Sequence, residues 1–60
     1  MKYELEIDCG NAAFQNHPSE EIARILRKLV ADMEDGKFDA PNEISLWDIN
    51  GNIVGRCSLQ

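Results

Sequence analysis

One stretch of helical periodicity constrains this chain more than any other feature. Six apolar residues recur with the spacing i, i+3, i+4, i+7, i+8 and i+11: Ile22, Ile25, Leu26, Leu29, Val30 and Met33. That spacing places all six on one face of an α-helix. Pro18 suits the first helical turn and Gly36 suits the C-terminal stop, so the pattern predicts a helix over residues 18–35. A helix with a single apolar stripe requires one apolar surface to cover it.

The remaining apolar residues follow the patterns of strands. Residues 2–9 alternate, with an apolar face and an acidic face that carries Glu4, Glu6 and Asp8. Residues 43–48 and 52–59 are rich in apolar and β-branched residues, which predicts two further strands. We therefore predict an α+β fold in the order β-α-β-β, with one helix packed on a three-stranded antiparallel sheet and the last strand in the centre. The 60 residues form a single domain in this prediction.

The segment Leu46–Gly55, LWDINGNIVG, admits two interpretations. A calcium loop of the EF-hand type that began at Asp48 would need glycine at its sixth position and glutamate at its twelfth. Gly51 is instead the fourth residue and Leu59 is the twelfth, so the calcium interpretation fails. The pattern favours a hairpin with a type I turn over 48–51 and a left-handed Gly51, although a two-residue turn at 50–51 stays open.

The three-residue loop sets a register with a consequence for function. It places Asp48 opposite Asn52 with both exposed, and it pairs Trp47 with Ile53 and Leu46 with Val54. Apolar residues then fall on both faces of the hairpin. One face holds Ile44, Leu46 and Val54, and the other holds Trp47, Ile53, Cys57 and Leu59. Because one helix covers only one face of a sheet, either the second face is open or this register is wrong.

An open apolar face centred on a tryptophan indicates an interface. The predicted partner-binding residues are Trp47, Ile53 and Leu59, together with Glu4 and Glu6 of the acidic row. The acidic row also has a simpler explanation, because charges on an edge strand discourage aggregation. A homodimer through the open face of the sheet is one form that this interface could take.

Arg24, Arg27 and Lys28 lie opposite the apolar stripe and form a second candidate site, for anions or nucleic acid. The simpler explanation is a solvated face in which Glu20 and Glu21 pair with Arg24. The net charge of −5 opposes generic binding of nucleic acid, which depends on basic residues that neutralise phosphates.

No arrangement typical of catalysis is present. His17 precedes Pro18 and is predicted to belong to the helix cap, and no serine or cysteine is placed to act as its nucleophile. The spacing of Cys9 and Cys57 is unlike a redox or zinc motif, so we predict free thiols, no metal, no cofactor and no enzyme. The apolar runs are too short to span a membrane, and the N-terminus lacks a signal core, which favours a cytoplasmic protein. Phe38, after the helix, is expected to close the core.

Three segments carry a resemblance to a known group. The segments DCGNAAF, EEIARILRKL and DINGNIVG resemble small uncharacterised proteins of bacteriophages and other bacterial mobile elements, over nearly the whole chain. Position 47 departs from the group, in which a charged residue is common. The resemblance implies a bacterial or phage-infected cell and a host protein as partner. The predicted function is a small acidic protein-binding module that inhibits a host enzyme or defence system, and the alternative is a nucleic-acid-associated accessory protein.

Overall fold

The computed structural model describes residues 1–36 and 42–60. Its elements are strand β1 (Tyr3–Ile7), a short 3-10 turn (Ala12–Phe14), helix α1 (Pro18–Glu34), strand β2 (Asn42–Trp47) and strand β3 (Ile53–Leu59). The strands form an antiparallel sheet in the order β1-β3-β2. The predicted α+β fold and the central position of the last strand are therefore confirmed. Phe38 lies outside the described residues.

Helix α1 begins where the sequence predicts, and the prediction that His17 belongs to its cap is confirmed, because His17 is the N-cap residue. The backbone carbonyl of His17 accepts hydrogen bonds from the N–H groups of Glu20 (3.1 Å) and Glu21 (3.3 Å). The side chain of His17 makes no capping hydrogen bond. Within the helix, Lys28 Nζ lies 3.0 Å from Asp32 Oδ1, an i,i+4 pair that supports the helix modestly.

The core lies between α1, the 3-10 turn and the inner face of the sheet. Its buried apolar members are Phe14, Ile25, Leu29, Leu46, Val54 and Cys57. Leu26, at the middle of the predicted stripe, is only partly buried, and Val30 is 52% exposed. The helix therefore packs along the line of Ile25 and Leu29 rather than along the full stripe.

A β-bulge in β3 corrects the predicted hairpin register. Trp47 pairs with Ile53 as predicted, but Leu46 pairs with Gly55, so Val54 is an extra residue on the central strand. The extra residue interrupts the alternation, and Val54 and Cys57 are both buried although they are three positions apart.

The bulge also resolves the apparent conflict of two apolar faces. Cys57 is buried and Leu59 packs partly against the core. These two residues belong to the inner face, so the predicted grouping of Cys57 and Leu59 with Trp47 is wrong. Trp47 and Ile53 keep their place on the opposite side of the sheet, where both are exposed.

Gly55 lets the first strand approach the central strand closely. Its pairing partner on β1 is Ile7. A Cβ at this position would overlap the backbone carbonyl oxygen of Glu6. The close approach beside the bulge therefore requires glycine, because backbone atoms cannot rotate away as a side chain can.

Candidate protein-binding site

The face of the sheet that points away from α1 is the candidate binding surface, here called the outer face. Residues directly opposite each other on antiparallel strands share a face, so the pairing defines its members. One row joins Glu4, Ser58 and Glu43, and the next joins Glu6, Arg56 and Ser45. The hairpin end of this face is apolar, with Trp47 53% exposed and Ile53 59% exposed.

The rest of the outer face is acidic. Glu4, Glu6 and Glu43 supply three carboxylates against two cations, the guanidinium of Arg56 and the ammonium of Lys2, which lies opposite Gln60 in the row beyond Glu4. Arg56 Nη1 lies 3.6 Å from Glu43 Oε2, and both side chains are largely exposed, so this ion pair adds little stability. The surface therefore combines an apolar end with an excess of exposed negative charge.

Four of the five residues predicted to bind a partner lie together on this face: Trp47, Ile53, Glu4 and Glu6. Leu59 does not, because the bulge turns it to the inner face, where it is partly buried. Glu43 and Arg56 were missed by sequence reasoning. Only the bulged register reveals that Arg56 stands between Glu6 and Ser45.

The hairpin loop next to Trp47 is held by a buried carboxylate. Asp48 is 4% exposed. Its Oδ1 accepts hydrogen bonds from the backbone N–H groups of Asn50 (3.0 Å) and Asn52 (2.8 Å), and its Oδ2 accepts from Asn11 Nδ2 (3.1 Å). These hydrogen bonds, led by the one from the Asn52 backbone, lower the pKa of Asp48 below its ordinary value. The predicted exposure of Asp48 is therefore wrong.

The predicted turn itself is confirmed. Gly51 has a φ of 85°, and its N–H donates to the Asp48 carbonyl over 3.1 Å. The Asp48 N–H donates to the Asn52 carbonyl over 2.8 Å, which closes the three-residue loop.

A second buried carboxylate ties the hairpin to the helix. Glu21 is 7% exposed and accepts two hydrogen bonds from Arg24, from Nε over 2.8 Å and from Nη2 over 3.0 Å. It also accepts the N–H of Ile49 over 2.7 Å. The bonds from Arg24 first, and then the bond from Ile49, lower the pKa of Glu21. Arg24 Nη2 also donates to the carbonyl of Trp47 over 3.0 Å, so the backbone of the exposed tryptophan is fixed to α1.

The three basic residues of α1 do not act as one cationic surface. Arg24 is committed to Glu21 and to the backbone of Trp47. Lys28 pairs with Asp32. Arg27 is exposed, and no ion pair or hydrogen bond to it is present within residues 1–36 and 42–60.

Metal ligands and cysteine thiols are the remaining candidates for chemistry in the described part of the chain. No group of three or more His, Cys, Asp or Glu residues that could hold a metal ion is present there. Cys9 is exposed and Cys57 is buried, and both are free thiols. No described helix is long and apolar enough to cross a membrane.

Comparison with known proteins leaves the resemblance to phage and mobile-element proteins as a prediction. No protein-family model matches this sequence, and no curated protein or solved structure matches it. The geometry of the outer face and of the contacts that support it is therefore the basis for a functional assignment.

Proposed function

We propose that this chain is a small acidic protein-binding module, and that its outer face docks a protein with basic groups around an apolar recess. The observation that carries the proposal is the exposed pair of Trp47 and Ile53 at the end of a row of carboxylates. Tryptophan is enriched among residues that dominate binding energy, especially when its neighbours exclude water. Exposed carboxylates steer a basic partner and favour it over an acidic one.

The supporting contacts make Trp47 suitable as an anchor. Arg24 donates a hydrogen bond to the Trp47 carbonyl. The Asp48 carboxylate holds the adjacent loop, because it accepts hydrogen bonds from the backbone N–H groups of Asn50 and Asn52 and from Asn52 Nδ2. A side chain on a backbone that is already ordered loses less entropy on binding. Because the hairpin is already ordered, a smaller part of the free energy gained by burying Trp47 is offset by lost entropy, and the complex is more stable.

Charge also distinguishes between occupants of the outer face. A second copy of this chain would bring its own Glu4, Glu6 and Glu43 against an acidic surface, and like charges at an interface oppose association. A heterologous partner is therefore favoured over a homodimer. The resemblance to phage proteins supports a host protein in the bacterial cytoplasm, such as an enzyme or a component of a defence system, as that partner.

The described residues do not favour the nucleic-acid alternative. Two of the three basic residues of α1 are engaged in ion pairs, and the whole chain carries a net charge of −5. A nucleic-acid surface instead needs several free cations that neutralise phosphates together.

A comparative capture experiment tests the proposal. Wild-type protein and the variant Trp47→Ala are immobilised at equal density, exposed to nuclease-treated bacterial lysate, and the retained proteins are quantified by mass spectrometry. Val30→Ala is a matched control, because Val30 is 52% exposed on α1 and Trp47 is 53% exposed on the outer face. Circular dichroism confirms that each variant is folded.

We expect a specific protein to be retained by wild type and by Val30→Ala, and lost from Trp47→Ala. Loss of a true anchor costs at least about 2 kcal/mol, or roughly 30-fold in affinity. The double variant Glu4→Gln/Glu6→Gln should retain less of the partner, and its capture should depend less on the salt concentration. The control Glu20→Gln/Glu34→Gln has the same change in net charge and should leave both quantities unchanged. Undiminished capture by a folded Trp47→Ala would refute the outer face as the site.

A further inference from the structure

A groove lies between α1 and strand β2 on the helix side of the sheet, and it extends to the edge of β2 at Ser45 and Trp47. Its volume is about 350 Å³. The apolar residues along it include Ile25, Leu29, Ile44 and Leu46. A volume of this size is near the lower end of the range for ligand sites and accommodates one or two side chains.

The groove runs beside an open strand edge. Among the described residues, strand β2 pairs only with β3 in the three-stranded order β1-β3-β2, so its other side is an edge of that sheet. The Trp47 carbonyl points to this edge, because it accepts a hydrogen bond from Arg24 on α1. Backbone groups two residues apart on an antiparallel strand point the same way, so the N–H and C=O of Ser45 also face the edge.

The rim of the groove presents positive charge although the chain is acidic. Lys28 is 70% exposed, whereas its partner Asp32 is 19% exposed. Arg24 is 36% exposed and its partner Glu21 is 7% exposed. In both pairs the cation meets solvent and the carboxylate is largely covered. A ligand that approaches the groove therefore meets an ammonium and a guanidinium first.

We propose that this groove binds an extended acidic peptide of another protein, which adds to β2 as a fourth strand. The backbone of the peptide pairs with Ser45, one apolar side chain enters the groove above Ile44 and Leu46, and a carboxylate faces Lys28. Strand addition of this kind takes affinity from backbone hydrogen bonds and specificity from the pockets for alternate side chains. Arg24 already occupies the Trp47 carbonyl, so the added strand ends there.

This site differs from the outer face in the charge of its ligand, although Ser45 and Trp47 lie beside both surfaces. The outer face presents carboxylates to a basic partner, whereas the groove presents cations to an acidic one. Ile53 and Glu4 belong only to the outer face and Lys28 only to the groove, so variants at these residues distinguish failure of one inference from failure of the other.

A displayed library of random octapeptides tests the groove. Peptides are selected on immobilised wild-type protein, synthesised with a fluorescent label, and titrated by fluorescence anisotropy against four variants. Ser45→Pro removes the edge N–H, at an edge position where proline is tolerated, and Ser45→Ala is its control because it keeps the N–H. Lys28→Gln removes the rim charge, and Arg27→Gln is its control because Arg27 lies outside the groove.

We expect selected peptides to alternate apolar and acidic residues. Their affinity should fall by at least about tenfold for Ser45→Pro and for Lys28→Gln, and remain unchanged for both controls. Hydrogen exchange of the Ser45 amide in the wild-type protein should slow when peptide is bound. This readout decides the matter even if Ser45→Pro does not fold.

Three results would overturn the proposal. The first is the absence of any enriched peptide. The second is a set of peptides whose binding survives in folded Ser45→Pro and is lost in Ile53→Ala, because Ile53 lies on the outer face and outside the groove. The third is slow exchange of Ser45 in concentrated protein without peptide, together with self-association, because a second copy would then occupy the edge.

Discussion

The addition of one methyl group at Gly55 should loosen the first strand from the sheet. A Cβ there would overlap the carbonyl oxygen of Glu6, and would lie 2.9 Å from its carbonyl carbon and 3.0 Å from the Cα of Ile7. All three are backbone atoms of β1, so a change of side-chain rotamer cannot relieve the contact. In Gly55→Ala, either β1 moves away from β3 or the central strand distorts.

The structure sets the scale of the loss. To restore ordinary contact, β1 must move by about 1 Å or more, against a normal strand spacing of about 4.8 Å. A shift of that size breaks neighbouring backbone hydrogen bonds, such as the one from the Asp8 N–H to the Val54 carbonyl at 2.7 Å. Two such bonds at about 1 kcal/mol each give a loss of roughly 2 kcal/mol. A chain of 60 residues has a total stability of about 3–9 kcal/mol, so the loss is a large share.

A series of three glycine variants provides the assay, with urea unfolding followed by far-UV circular dichroism. At Gly10 the nearest atom to a new Cβ is the flexible Asp8 Oδ1 at 3.2 Å, so Gly10→Ala should change stability by less than about 0.5 kcal/mol. At Gly51 no atom lies within 4 Å, but the φ of 85° makes alanine cost about 1–2 kcal/mol. Gly55→Ala should cost at least as much as Gly51→Ala and should speed hydrogen exchange at the Asp8 amide. A Gly55→Ala protein as stable as Gly10→Ala would refute the close approach of β1.

Three further outcomes are expected. Ile25→Ala should lower the free energy of unfolding in urea by about 2–4 kcal/mol, because Ile25 is 3% exposed. Leu26→Ala should lower it clearly less, because Leu26 is only partly buried, and equal losses would contradict the helix orientation. Because hydrogen bonds lower the pKa of Glu21 and Asp48, their stabilisation is complete well above the ordinary values of 4.5 and 3.8 and is lost as the pH falls through the lowered values. The urea midpoint should therefore fall between about pH 6 and about pH 3, and fall less in Glu21→Gln/Asp48→Asn; parallel curves would contradict the assigned bonds. A chelator should leave the thermal unfolding curve unchanged, whereas a large drop in Tm would reveal a metal site.

Patterns that depend on near neighbours in the chain predicted this fold well. The helix over 18–35 and the turn at 48–51 were found because periodicity, a proline, an aspartate and a glycine act within a few residues of each other. The bulge at Val54 was not predicted, because a single extra residue leaves the composition of a strand unchanged. The spacing of Val54 and Cys57, three residues apart and both apolar, was the available signal.

Only those parts of the candidate site that depend on near neighbours in the chain were predicted. Exposure of Trp47 beside Ile53 followed from the turn, which is a local feature. The burial of Asp48 depends on Asn11, which lies 37 positions away in the chain. Arg56 and the groove beside β2 depend on the order and register of strands, and neither can be read from the spacing of residues on one strand alone.

The bulge makes the number of residues in β3 more important for the fold than the identity of each apolar residue. Between Ile53 and Cys57, Val54 is the one unmatched residue, and it decides which side chains reach the helix and which reach the exterior of the sheet. Replacement of Val54 by another apolar residue preserves that division. Loss of one residue after Gly55 would instead turn the following side chains to the opposite face, because successive side chains of a strand alternate. Among evolutionary variants of this chain, substitutions in the segment should therefore be tolerated far more often than insertions or deletions. A codon lost or gained after Gly55 would exchange the inner and outer side chains of the rest of the strand in a single step.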